Sequence, residues 1–204
     1  VLEFVESNFN TEVFDERRSI YLNINTYNVK NLLTPQKGYI ASLKSEFFGM
    51  FLGGTQNYIK NEIELKYYSP ILDKIVFANR FKYSLISEFD GYSPNLQNDN
   101  YFYLGGSSTL RGWLNPYDFN NYTGSIKRLV INSEFRMHLI NNFGISIFSD
   151  NGILGEVNSK SSHNIGWGLY YITPLGPAKV DIAYIVDNKS ISSPTIQFSL
   201  LNMF

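Results

Sequence analysis

Apolar and polar side chains alternate with a period of two along most of the chain. In the segment YIKNEIELKYY, four large apolar side chains share one parity: Ile59, Ile63, Leu65 and Tyr67. Four charged side chains of the same segment share the other parity: Lys60, Glu62, Glu64 and Lys66. Successive side chains of a β-strand point to opposite faces, so this pattern predicts a strand with one apolar and one polar face.

The same alternation recurs along the chain and predicts an all-β protein with about nine strands, to which Val1–Asn10 could add a tenth. Other clear examples cover residues 19–27, 75–85, 129–139, 164–172 and 195–204. Segments rich in Gly, Pro, Asn and Asp separate the strands and predict turns at 34–38, 51–57, 69–74, 140–142, 173–177 and 186–190. Short turns between neighbouring strands indicate an antiparallel meander.

Strand length and aromatic content favour a transmembrane β-barrel over a soluble β-sandwich or a lipocalin-like barrel, which stay open as alternatives. Many predicted strands reach ten residues, and aromatic residues make up 16% of the chain. The side chains predicted to face lipid are Ile59, Ile63, Leu65, Phe77, Phe81, Ile131 and Phe135. Those predicted to face the lumen are Glu62, Glu64, Arg80, Lys82 and Glu134. Aromatic belts are expected near the strand ends, at Tyr67, Tyr68, Tyr83, Phe89, Tyr92, Tyr101, Phe102 and Tyr103.

Composition argues against several kinds of chemistry. The net charge is −1, so no broad cationic field is expected to attract nucleic acid. The chain has no cysteine, and its two histidines, His138 and His163, lie far apart in sequence, so we expect no metal site. Ser107 and Ser108 lack the Gly-x-Ser-x-Gly pattern of a nucleophile elbow. We therefore expect no enzyme activity, catalytic residue or cofactor.

Two carboxylates leave one catalytic alternative open. Glu62 and Glu64 could serve as an acid/base pair, as in glycoside hydrolases. Lys60 and Lys66 lie on the same predicted face, however, and favour a ladder of neutralised charges in the lumen.

The stretch YFYLGGSSTLRGW carries the most distinctive motif. Its residues Gly105, Gly106, Thr109, Leu110, Arg111, Gly112 and Trp113 resemble the Gly-Gly-x-x-Thr-Leu-Arg-Gly-aromatic signature of the outer-membrane protein assembly superfamily. That superfamily includes the BamA, TamA, two-partner-secretion and mitochondrial sorting-and-assembly barrels. In this chain Trp113 replaces the commoner Phe or Tyr.

The resemblance continues in chain order, from about Ser19 to Phe204. NSEFR and ISIFSDNG are similar to family strands that carry an inward glutamate and an inward aspartate, here Glu134 and Asp150. In the family, the motif arginine bonds these carboxylates, which implies that Arg111 does so here. The terminal residues Phe198, Leu200 and Phe204 resemble the signal by which barrels are recognised for assembly.

The resemblance implies the architecture. The family barrel has sixteen strands and follows soluble POTRA repeats, so this chain corresponds to its C-terminal half, in the manner of the bacterial surface-antigen barrel. We expect residues 1–204 to form one barrel domain, with a loop at about 91–125 inserted in the lumen. Either the remainder of the barrel is missing from this sequence, or the protein is a short member that closes alone or with a copy of itself.

The resemblance also implies a function. The expected function is insertion and folding of other β-barrel proteins in the outer membrane of a Gram-negative-type bacterium, with an organelle outer membrane as the alternative. The expected partners are outer-membrane lipids, client barrel proteins, POTRA repeats and accessory subunits. The alternatives are a pore that exports a polypeptide, the barrel anchor of a patatin-like lipase or autotransporter, and a soluble β-sandwich binding module.

Overall fold

The computed structural model of the chain describes residues 4–6, 16–54, 56–88, 100–155, 159–187 and 190–201. Eleven β-strands dominate this part of the chain. They are β1 Phe4–Glu6, β2 Glu16–Tyr27, β3 Gly38–Phe48, β4 Tyr58–Leu72, β5 Ile75–Glu88, β6 Lys127–Ile140, β7 Phe143–Leu154, β8 Lys160–Thr173, β9 Gly176–Asp187, β10 Ser190–Ile191 and β11 Thr195–Leu200. Two 3-10 turns, Met50–Leu52 and Asp118–Asn120, are the only helical elements of the described residues. Neither described helix is long and apolar enough to cross a membrane.

The strands form one antiparallel sheet in chain order, as the meander prediction requires. Each strand from β1 to β9 pairs with the next one along the chain, and β9 pairs with both β10 and β11. The described sheet is open, because β2 with the short β1 forms one edge and β11 forms the other. The all-β class and the antiparallel order are therefore confirmed.

The sheet has an outer face and an inner face, the inner face being the one against which the β5–β6 loop packs. Every residue predicted to face lipid lies on the outer face, and every residue predicted to face the lumen lies on the inner face. On the outer face Ile63 is 48% exposed, whereas on the inner face Glu134 is fully buried. The division of these residues between two faces is confirmed, and contact of the outer face with lipid stays a prediction.

One predicted turn begins later than the sequence indicates. Residues 69–74 were expected to form a turn, but β4 continues to Leu72, and only Asp73 and Lys74 form the turn. The strand accommodates Pro70 because the ladder with β5 shifts register between Pro70 and Leu72. A proline has no N–H to donate, so it is tolerated at such an irregularity of the sheet.

The predicted aromatic belts are only partly right. Tyr67 is exposed on the outer face beside Tyr39, its partner in the β3–β4 ladder. Tyr68 and Phe102 are instead buried, the first on the inner face and the second inside the loop core. Phe89 and Tyr92 lie outside the described residues. A second exposed outer pair, Phe143 with Tyr171, was not predicted; its ring centroids are 4.7 Å apart.

The described part of the β5–β6 loop, residues 100–126, packs on the inner face. Four of its side chains, Phe102, Leu104, Leu110 and Phe119, join wall residues in a hydrophobic cluster. The wall residues are Phe48, Tyr58, Ile86, Val130 and Leu154. The inner face is therefore not uniformly polar, because these apolar positions hold the loop in place.

Candidate functional site

The glycine-rich turn of the loop is closed by its own side chains. Thr109 Oγ1 accepts the Gly105 N–H at 2.8 Å and donates to the Gly105 carbonyl at 2.7 Å. The Gly106 N–H donates to the Trp113 carbonyl at 2.8 Å. These bonds fold residues 105–113 into a compact turn that presents Arg111 to the wall.

Two glycines of the motif are required by the backbone. Gly105 has a φ of 135° and Gly112 a φ of 108°, a region that residues with a Cβ rarely adopt. A Cβ at Gly105 would also collide with the carbonyl oxygen of Asn115. The motif needs glycine at these positions for conformation and for close approach.

Arg111 uses its backbone and its guanidinium to bind two wall carboxylates. Its Nε and Nη2 donate to the two oxygens of Asp150, at 2.8 and 2.7 Å, and its backbone N–H donates to Asp150 Oδ2 at 3.1 Å. Its Nη1 donates to Glu134 Oε2 at 2.8 Å. The guanidinium carbon also lies 3.4 Å from the ring centroid of Phe148, a cation–π contact. A bidentate arginine–carboxylate pair fixes orientation as well as charge.

Further charged residues surround Arg111, Glu134 and Asp150 and complete an ion cluster. Lys179 Nζ donates to both oxygens of Glu134 at 2.8 Å, and Arg136 Nε donates to Glu134 Oε1 at 3.0 Å. Asp181 lies 3.4 Å from both Arg111 and Lys179. The ion cluster thus contains three cations and three anions: Arg111, Arg136, Lys179, Glu134, Asp150 and Asp181. All six are at most 4% exposed, so the charges are balanced out of contact with bulk solvent.

The loop arginine stays charged in this setting. Burial alone would lower the pKa of Arg111, but the facing carboxylates of Asp150 and Glu134 outweigh it and raise the pKa above its usual range. An arginine is therefore a permanent cation here, and removing its side chain leaves buried carboxylates with fewer partners.

Asparagines and the tryptophan frame the arginine. Asn132 Nδ2 donates to the Thr109 carbonyl and to Asp150 Oδ1, both at 2.8 Å. Asn164 Nδ2 donates to the Arg111 carbonyl at 2.5 Å. The Trp113 indole N–H donates to Ser162 Oγ at 3.0 Å, and that hydroxyl donates to Asn164 Oδ1 at 2.7 Å. A Phe at position 113 could not make this connection.

Three wall cations bind the loop backbone on the N-terminal side of Arg111. The cationic wall consists of Lys60, Arg80 and Arg128, which donate to the carbonyls of Asn100, Ser108 and Tyr103 at 3.1, 2.5 and 3.0 Å.

The two carboxylates of the catalytic alternative lie on this wall. Glu64 pairs with Arg80 at 2.6 Å, and Glu62 pairs with Lys82 at 2.8 Å and Arg128 at 2.9 Å. Both carboxylates are therefore neutralised by cations of the wall. The shortest pairs are made with cations of β5 and β6, and Lys66 of β4, the predicted partner, lies 3.9 Å from Glu64.

The remaining predicted residues lie elsewhere. Phe198 and Leu200 are each 75% exposed on the outer face of β11, and Phe204 lies outside the described residues. Their role as an assembly signal stays a prediction. Within the described ranges, no group of three or more His, Cys, Asp or Glu is placed to hold a metal ion.

Sequence reasoning missed several residues of the site. Lys179 and Asp181 lie on one parity of the segment GPAKVDIAY, opposite Val180 and Ile182, so their inward direction could have been read from the alternation. The stacking of Phe148 on Arg111 could not have been predicted in this way. The alternation indicates that Phe148 points inward, but it does not indicate which residue its ring contacts.

The fold and the site define a β-barrel wall with an arginine loop anchored on its inner face. The sequence matches the model of the Omp85 superfamily domain over residues 5–203, and the chain belongs to the Omp85 superfamily. Its fold is similar to the crystal structure of BamA from Haemophilus ducreyi lacking POTRA domains 1–3, with a TM-score of 0.68 and 17% sequence identity. The match covers 90% of this chain and 41% of that chain, so the chain spans less than half the length of that BamA. No curated protein matches the sequence.

Proposed function

We propose that this chain is the C-terminal part of an outer-membrane barrel that folds and inserts other β-barrel proteins. The observation that carries the proposal is the Arg111 loop, seated on Glu134 and Asp150 inside a barrel wall of the Omp85 superfamily. Residues 1–204 are then one barrel domain, working with outer-membrane lipids, client barrels, upstream POTRA repeats and accessory subunits. No step of this function needs a cofactor.

The physical argument rests on the entropy of the loop. A glycine-rich loop loses much conformational freedom when it is ordered, so a specific anchor is needed to offset that cost. The ion cluster anchors the middle of the described loop at Arg111, and the cationic wall anchors the part that precedes it. A seated loop keeps the inner wall in one arrangement, which an insertion machine needs each time it accepts a client.

Reconstitution of the full-length protein tests the proposal. The protein in liposomes should accelerate folding of a urea-denatured eight-stranded outer-membrane barrel relative to empty liposomes. Arg111→Ala should reduce the acceleration, whereas Ser108→Ala, an exposed side chain of the same loop, should not. Equal folding with and without the protein contradicts the proposal. Entry of the denatured chain into the vesicles, without its folding, would favour a polypeptide-transport pore.

The terminal residues offer a second test in cells. Replacing Phe204 with a charged residue should reduce the amount of this protein assembled in the membrane, if the end of the chain serves as its assembly signal. Unchanged levels and unchanged heat-modifiability on gels would contradict that role.

A further inference from the structure

The last strand of the sheet is interrupted just before it reaches the site. β10 pairs Ile191 with Val186 of β9, and β11 pairs Thr195 with Ala183. Four steps along the terminal segment (191 to 195) therefore match three steps along β9 (186 to 183), so the segment carries one extra residue, as in a β-bulge. Pro194 lies in the break and has no N–H for the ladder.

The attachment of β11 to the sheet is short. Six register positions join β11 to β9, whereas eleven join β9 to β8. Among the described strands, β11 pairs only with β9. Contacts made by its side chains therefore add to a backbone ladder that holds the strand on one side only.

Two inward side chains of β11 reach across to the loop. Thr195 Oγ1 donates to the Gly112 carbonyl at 3.0 Å, and Gln197 Nε2 donates to the Trp113 carbonyl at 2.7 Å. Gln197 is only 6% exposed, so this bond is made away from bulk water. Both acceptors follow Arg111 directly in the chain.

The loop carbonyls form a continuous row of acceptors. Asn164 of β8 binds the Arg111 carbonyl, and Thr195 and Gln197 bind the next two. Gln197 also lies opposite Asp181 in the β9–β11 ladder, and Asp181 belongs to the ion cluster. The bonds of β11 to the loop thus lie directly beside the seat of the arginine.

We propose that Thr195 and Gln197 are positioning residues that latch the terminal strand β11 to the Arg111 loop, so that the seating of the loop and the position of the strand are coupled. The ladder is intact at Ser192, whose N–H donates to the Ile185 carbonyl at 2.9 Å, so the bulge lies at Ser193 and Pro194 and the latch begins directly after it. This coupling goes beyond the proposed function, since it holds equally for a barrel that inserts clients and for one that transports a polypeptide.

Hydrogen–deuterium exchange of the full-length protein in detergent tests the latch. Losing one partly buried hydrogen bond should speed exchange about three- to tenfold. Gln197→Ala should produce this change in the peptides of both β11 and the loop. Thr195→Val should act in the same direction, and Thr195→Ser, which keeps the hydroxyl, should restore slow exchange. Ser199→Ala is the matched control, because Ser199 shares the inner face of β11 and makes no side-chain hydrogen bond to the described part of the loop.

The reverse direction separates coupling from simple local loosening. Arg111→Ala changes no residue of β11, yet it should speed exchange in β11, while the β2–β3 hairpin serves as the reference for global opening. Exchange in β11 that stays at the wild-type rate in Arg111→Ala, or loop exchange that stays so in Gln197→Ala, overturns the proposal.

A cross-link gives a second readout if Arg111→Ala does not fold. The chain has no cysteine, so the pair Val180→Cys and Phe198→Cys, opposite each other on the outer face, reports only on the β9–β11 register. Thr195→Val should lower the yield of this disulfide on oxidation, and Thr195→Ser should not. Equal yields in the two variants would count against the latch.

Discussion

The inserted loop is attached to the wall by two opposite arrangements of charge. At the ion cluster, a loop cation enters a set of wall carboxylates, and every charged group is at most 4% exposed. At the cationic wall, wall cations reach up to loop carbonyls, and their balancing carboxylates Glu62 and Glu64 have side chains 22% and 21% exposed. The ion cluster binds a specific side chain, whereas the cationic wall binds the backbone of whatever residue lies there.

This difference predicts how much the ion cluster and the cationic wall each contribute to the stability of the protein. A buried ion pair is expensive to break, because removing one partner leaves a desolvated charge. A partly exposed pair is screened by water and salt and contributes little. The identity of the loop residue should therefore matter at Arg111 and matter little at Ser108, whose contact with Arg80 uses only its carbonyl.

The largest expected effect is that of Arg111→Ala. It should lower the free energy of unfolding by about 3–5 kcal/mol, since Asp150 and Glu134 lose their shared cation while buried. Arg111→Lys should recover only part of this, because an ammonium cannot bind Asp150 with two parallel bonds. Thermal melting of the full-length protein in detergent measures both variants, with Ser108→Ala as the control on the same loop.

A mutant cycle tests whether the ion cluster acts as a unit. Glu134→Gln and Asp150→Asn should each be milder than Arg111→Ala, and each should be less than additive with it. Full additivity of Arg111→Ala with both carboxylate variants would show that these contacts carry no coupling energy and that the ion cluster does not act as a unit.

A smaller effect is expected at Trp113, which is connected through Ser162 and Asn164 to the carbonyl of Arg111. Trp113→Phe should keep the packing against Phe119, whose ring centroid is 5.4 Å away, but lose the donor to Ser162. The expected cost is about 0.5–1.5 kcal/mol. Ser162→Ala should lower the stability less in the Trp113→Phe background than in the wild type. Thermal melting of the two single variants and of the double variant measures this difference. A Trp113→Phe protein as stable as the wild type would show that the indole bond is not needed.

The smallest effect is expected at the partly exposed carboxylates beside the cationic wall. Glu62→Gln should lower stability by about 1 kcal/mol or less, because its partners Lys82 and Arg128 remain accessible to water. The difference from wild type should shrink as salt is raised, whereas the Arg111→Ala difference should not. Thermal melting at two salt concentrations measures both differences. A salt-independent loss in Glu62→Gln as large as that in Arg111→Ala would show that the charges of the cationic wall contribute as much stability as those of the ion cluster.

Local pattern was sufficient to predict most of the fold. Strand, face and order follow from alternation and turns, since both are properties of neighbouring residues. The error at residues 69–74 has the same origin, because Pro70 signals a break in sequence while the register of β5 absorbs it in the sheet.

The site was predictable only in part. Arg111, Glu134 and Asp150 could be placed from a motif and a parity, and the structure brings them together. Gln197 could not be placed with them, because its acceptor is a main-chain carbonyl 84 residues away and no residue type marks such a partner. The burial of Leu110 and Phe102 against the wall likewise depends on the path of the loop, which is a tertiary property.

The two tryptophans of the chain lie on opposite faces of the same wall. Trp113 packs with the loop on the inner side, whereas Trp167 is 45% exposed on the outer face of β8. They therefore report on two different environments: brominated acyl chains should quench the fluorescence of Trp167, and water-borne quenchers that enter the barrel should reach Trp113. In a Trp167→Phe variant, Trp113 is the one indole left among residues 1–204, and its emission reads out the seating of the loop without any attached dye.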